Sequence, residues 1–198
     1  RMTRTYGDYF EVLNKYVSSS DSPSQGKCDY LMAVIQRTDP KFVRSFMPQL
    51  DTAMTKLLLV HPTDSSALQT VGTYYYATGR QNRAKACFEL NAMVYPESFS
   101  ANASFVEFLM YSQMWEELSR EGRKAFERFP NETAFLEMAG VGDYNLEDYD
   151  KVLKACQTIL EVAPSDSAKT LRSWSTMGDV YFILGEKNKA YKAYEKAL

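Results

Sequence analysis

Residues 174–198 read WSTMGDVYFILGEKNKAYKAYEKAL, and the spacing of their large and small side chains decides the fold. Trp174, Met177 and Tyr181 recur at steps of three and four, which places them on one face of a helix. Gly178 leaves room on that face for a second helix, and Gly185 supplies a turn where positive φ is cheap. Ala190, Tyr194 and Ala197 carry the pattern back along the returning helix. One stretch thus encodes a helix, a turn and an antiparallel helix.

The arrangement recurs upstream. Leu68, Val71, Gly72 and Tyr75 precede Gly79, then Ala84 and Phe88, closing at Pro96. Pro62, Pro96, Pro130 and Pro164 stand at intervals of 34, and proline ends a helix that it cannot continue. After each comes a run of helix-starting side chains: Thr63-Asp64-Ser65-Ser66, Glu97-Ser98, Asn131-Glu132-Thr133 and Ser165-Asp166-Ser167. Between the two clear copies the pattern is worn. Residues 99–130 keep Phe105, Leu109, Leu118 and Ala125, but Val106 and Gly122 stand where a glycine and an aromatic are expected. Residues 133–164 keep Leu136, Ala139, Gly140, Val152 and Ile159, with Asp143 at the tyrosine position and Cys156 at the aromatic one. Four extra residues between Pro164 and Trp174 predict one extra turn on that helix.

The motif W-x-x-L-G-x-x-Y, a turn, A-x-x-x-F and a closing proline, repeated every 34 residues, resembles the tetratricopeptide repeat over about residues 65–198. The resemblance implies an all-α, α-α superhelix: a right-handed solenoid of antiparallel helix pairs, with about 11 helices in this chain. It implies four units in residues 63–198, at about 65–98, 99–132, 133–166 and 171–198, the last cut short. Residues 1–62 read as atypical helices that extend or cap the stack. Tyr6, Tyr9, Phe10, Leu13, Tyr16 and Val17 mark a helix over 6–18, and the serine-rich run 18–26 a loop. A second helix follows over 27–37 with Leu31, Val34 and Ile35 inward, then one or two more beyond Asp39-Pro40, with Pro48 as a start or kink.

In this family the first helix of each pair lines a concave groove. The implied groove positions are Gln69, Thr73 and Tyr76; Ala103, Glu107 and Met110; Glu137, Val141 and Tyr144; and Ser175, Asp179 and Phe182, with Arg172 nearby. Tyr76, Met110, Tyr144 and Phe182 share one repeat position, with Glu107, Glu137 and Asp179 beside them. Such a wall suits a protein or peptide partner with apolar anchors and a basic residue. The same aromatics would equally serve as packing between adjacent helices. Family members that grip acidic chaperone tails use lysine, arginine and asparagine in the groove. Here Gln69, Thr73, Ser104, Glu107 and Thr176 occupy those places and only Arg172 fits, so binding of such tails is not expected.

Composition excludes several alternatives. A net charge of −2 lacks the basic excess by which polyanion binders release counterions, so no nucleic acid is expected. No apolar run is long enough to insert into a membrane, and Arg1 to Phe10 has no signal-peptide character. Cys28, Cys87 and Cys156 are too scattered for a disulfide framework or zinc site and read as small buried hydrophobes. His61, the sole histidine, reads as a helix-end residue, and no phosphate-cradling loop occurs. Asp143, Glu147, Asp148 and Asp150 lack the calcium-loop pattern and read as a solvated helix start, with Asn145 and Asp148 at its cap and first turn. Arg120, Arg123, Lys124 and Arg128 read as a solvated basic stripe. No catalytic residue, metal ligand or cofactor is expected.

The function implied is a non-catalytic scaffold. The alternative is a regulatory or substrate-recruiting segment of a larger enzyme, since Arg1 and the helical stop at Leu198 read as cuts from a longer chain. Cytoplasmic and envelope-associated (periplasmic) settings in a bacterium are both compatible with repeats of this style.

Overall fold

Twelve α-helices, and no strand, make up the described residues (2–37 and 39–198) of the computed structural model. They are α1 Met2–Ser18, α2 Ser24–Arg37, α3 Pro40–Ser45, α4 Met47–Val60, α5 Ser65–Ala77 and α6 Gln81–Val94, then α7 Phe99–Tyr111, α8 Trp115–Arg128, α9 Ala134–Asn145, α10 Tyr149–Val162, α11 Ser167–Ile183 and α12 Lys187–Ala197. The expected 11 becomes 12 because the segment after Asp39 splits. Asp39 caps a one-and-a-half-turn helix by accepting from the Lys41 amide at 2.8 Å, and Pro48, lacking an N–H, suits only the first turn of a new one. Helix α2 also starts at Ser24, inside the stretch expected to be loop.

The period lies in the helix ends. His61, Tyr95, Phe129 and Ala163 are the C-caps of α4, α6, α8 and α10, and each of the four periodic prolines comes directly after one of them. Asp64 and Asp166 cap the following helices through bonds from Ala67 N (2.9 Å) and Lys169 N (3.0 Å), and Ser98 accepts from Ala101 N at 3.3 Å. Thr133 is the exception: its hydroxyl makes no cap bond. The turn inside each pair needs a left-handed residue, Gly79 and Gly185 at φ 76°. Gln113 and Glu147 take that role at φ 56° and 59° without being glycine. Helix α11 has 17 residues against 13 in α5, the extra turn that its four inserted residues predict.

The chain divides into two compact units, residues 1–105 and 106–198, with the boundary inside α7. In the first, Phe10, Leu13 and Val17 of α1 are buried, α1 packs on α4, and Phe10 and Phe42 lie 5.2 and 4.7 Å from Phe46, ring centre to ring centre. Lys27 of α2 is fully buried, where its ammonium donates to the Ser19 carbonyl and lies 3.0 Å from Nε2 of His61. His61 therefore does sit at a helix end, and it also receives a buried lysine that the sequence pattern did not mark.

A polar cluster ties α4 to the α5–α6 turn. Arg80 donates to both Asp51 oxygens at 2.6 Å, the Tyr74 hydroxyl donates to Asp51 at 2.7 Å, and the guanidinium stacks on Tyr74 and Tyr75 at 4.9 and 4.7 Å. Burial alone would raise the Asp51 carboxyl, but the bonds from Arg80 and Tyr74 outweigh it and hold the group below its ordinary range. A depressed folded-state pKa means stability that is present above the unfolded value of about 4 and is lost as the pH falls through the lower folded value. Melting curves between neutral pH and pH ~3 should show Asp51→Asn with a shallower acid slope than the parent. An unchanged slope contradicts the assignment.

Candidate partner-binding cleft

In two of the helix pairs an aromatic ring from the second helix rests on a glycine of the first, 16 residues earlier. Phe88 lies on Gly72, where an added Cβ would meet its ring at 3.0 Å, and Tyr194 lies on Gly178 in the same way. The ring fits because the glycine has no side chain to displace it, and this draws the helices together. In the third pair the register is kept but the ring is missing. Gly140 stands 16 residues before Cys156, and an added Cβ at Gly140 would meet only Ala155 Cβ, at 3.9 Å.

A cleft of about 360 Å³ opens at this place, within the second unit. Its floor is apolar: Leu136, Val152, Ala155, Cys156 and Ile159 are each buried and belong to the two core clusters of that unit. Its rim carries Tyr144, 40% exposed, with Glu137, Arg172 and Asp179. Arg172 reaches Glu137 at 3.2 Å, and Asp179 accepts from the Tyr194 hydroxyl at 2.8 Å. That bond leads the causes that raise the Tyr194 phenol above its ordinary pKa. Burial, helped by the nearby Glu137 charge, pushes the Cys156 thiol up to about 11, so it lines the cleft as a hydrophobe rather than as a nucleophile. Cys28 and Cys87 are buried as well.

Five of the thirteen groove residues expected from sequence, Glu137, Val141, Tyr144, Arg172 and Asp179, come together here. Phe182 is 65% exposed on α11, and Glu107 and Met110 lie on α7; none of the three lines the cleft. Gln69, Thr73 and Tyr76 belong to α5 of the first unit, with Tyr76 40% exposed.

Two faces expected from sequence to be solvated are each broken at one residue, Asp143 in the acidic run and Arg123 in the basic stripe. Asp143 is fully buried, bound by Arg123 at 2.5 Å and by the Ser119 hydroxyl at 2.6 Å. Arg123 therefore leaves the basic stripe to neutralise a carboxylate at the α8–α9 contact, while Arg120 and Lys124 stay outside and pair with Glu121. Asn145 closes α9 instead of opening α10, and Asp148 alone caps α10. Among the described residues no cluster of three metal-ligating side chains occurs. No described helix is long and apolar enough to cross a membrane.

The paired helices with their recurrent ring-on-glycine contacts define an α-helical repeat protein. Residues 171–198 match the family profile described as tetratricopeptide repeat. Solved structures of MamA share the fold. One is 17% identical over 86% of this chain and 90% of that chain, with a TM-score of 0.63. MamA of AMB-1 is 14% identical over 94% and 91%, at 0.62. MamA from residue 41 to its end, from Desulfovibrio magneticus RS-1, is 14% identical over 86% and 92%, at 0.60. No curated protein matches the chain. Residues 171–198 thus carry a tetratricopeptide repeat, and the chain as a whole shares the helical fold of these structures.

Proposed function

We propose that this chain is a protein-interaction scaffold that holds a peptide segment of its partner against the first helices of its pairs, with the cleft beside Tyr144 as the main point of purchase. One observation carries this reading: an apolar, solvent-reachable floor framed by groove residues from both α9 and α11. Such a mix of buried apolar surface and a few convergent polar groups is what a recognition site requires. Of the four predicted repeat units, 65–98, 99–132, 133–166 and 171–198, the third and fourth supply the residues that frame this cleft. The rim also disfavours acidic chaperone tails, because its one arginine is already held by Glu137.

Affinity capture with the intact chain, read by mass spectrometry, tests the proposal. A discrete partner set should be retained by the parent and by Lys154→Ala, an exposed change on α10, and lost with Tyr144→Ala. Equal retention by all three would refute the assignment of the cleft.

A further inference from the structure

Resting on the scaffold reading, we propose that the cleft is a receptor for a single aromatic side chain of the partner, flanked in the partner by basic residues. The chain itself shows the shape of the occupant. At Gly72 and Gly178 the equivalent slot holds a ring supplied 16 residues later, by Phe88 and Tyr194. At Gly140 the residue in that register is Cys156, several heavy atoms short of a phenyl ring, and the slot stays open. The volume of about 360 Å³ exceeds the roughly 150 Å³ apolar cavity that takes benzene, and lies at the lower end of ligand pockets. It fits one ring and its stem, not a second helix.

Charge selects the flanks. The rim holds two carboxylates, Glu137 and Asp179, against one guanidinium, Arg172, so it carries an excess negative charge. Arg172 already faces Glu137, and Asp179 is exposed towards solvent with only the neutral Tyr194 hydroxyl on it. A lysine or arginine next to the entering ring meets attraction there; an acidic neighbour meets repulsion. The ring is the anchor and the base sets its orientation.

The test is a ¹H–¹⁵N NMR titration of the full chain with two probes, acetyl-Lys-Phe-Lys-amide and acetyl-Lys-Ala-Lys-amide. The phenylalanine peptide is expected to move the amides of Gly140, Tyr144, Cys156 and Ser173, and to bind at least about tenfold more tightly than the alanine peptide. Acetyl-Glu-Phe-Glu-amide should bind more weakly than the lysine version. Cys156→Phe fills the slot from within and should abolish these shifts while the chain stays folded by circular dichroism. Gly140→Leu fills it from the opposite wall and serves if Cys156→Phe fails to fold. Absence of binding by the phenylalanine peptide at millimolar concentration, shifts centred elsewhere, or binding undiminished in a folded filled variant each overturn the proposal. Equal binding of both lysine peptides along α9 and α11 overturns the aromatic anchor but leaves the scaffold reading standing. That reading fails separately, when the intact chain captures no partner.

Discussion

Replacing Arg123 by leucine is expected to destabilise the second unit by about 3 kcal/mol, the largest effect of any single surface-accessible side chain in that unit. The Asp143 carboxylate is fully buried between α8 and α9, and Arg123 is the cation that reaches it, at 2.5 Å. Ser119 adds one hydrogen bond at 2.6 Å, which cannot neutralise a charge. A buried ion left alone loses hydration without gaining a counter-ion, and breaking such pairs costs about 3–5 kcal/mol. The lower figure applies because Arg123 itself is 29% exposed and water partly screens the pair. Arg120→Leu, about one turn away on α8 and paired with Glu121 at the surface, should change stability by less than about 1 kcal/mol. The double variant Arg123→Leu, Asp143→Leu should recover most of the loss, since an apolar pair of similar volume leaves no orphaned charge. Chemical denaturation of the four proteins checks this; a loss in Arg123→Leu no larger than in Arg120→Leu contradicts it.

Gly142→Ala should be the next most damaging small change, at up to about 2 kcal/mol, although alanine is the better helix former. An added Cβ would stand 2.8 Å from the Trp115 carbonyl oxygen and 3.0 Å from the Ser119 amide nitrogen. Both are backbone atoms of α8, so no rotamer relieves the clash and the two helices must separate. On the facing helix, Gly122 has the same constraint against Phe135 O at 2.9 Å. Overpacking costs about 1–3 kcal/mol, and the gain in helix propensity returns about 1 kcal/mol of it. Two residues away on the same helix, Gly140→Ala should have the opposite sign, a gain of up to about 1 kcal/mol, because its Cβ meets only Ala155 at 3.9 Å. Thermal melts of the two variants give the comparison; equal shifts would mean that helix propensity alone governs both positions.

The prolines at 34-residue intervals and the small residues Gly72, Gly178, Ala84 and Ala190 act through local backbone geometry, so they were legible one residue at a time. The α3–α4 break was half legible: Pro48 marks it, but whether a proline kinks or restarts a helix depends on what packs around it. The Asp143–Arg123 pair was not legible, because its partners lie 20 residues apart on different helices and each alone resembles an ordinary surface charge. The tight α8–α9 contact was not legible for a similar reason: it uses Gly122 of one repeat and Gly142 of the next, which the pattern within a single pair does not bring together. For the cleft, the signal was present as Cys156 in an aromatic position. Only coordinates could tell whether another side chain had moved in to fill the space, and none of the neighbours Tyr144, Tyr149 or Leu153 does.

A crystal structure of the intact chain with acetyl-Lys-Phe-Lys-amide puts the central claim to its most direct test. The peptide's phenyl ring is expected between Gly140 and Cys156, seated as Phe88 is on Gly72, with a lysine near Asp179. A ring bound elsewhere, or a slot closed by one of the chain's own side chains, would contradict it.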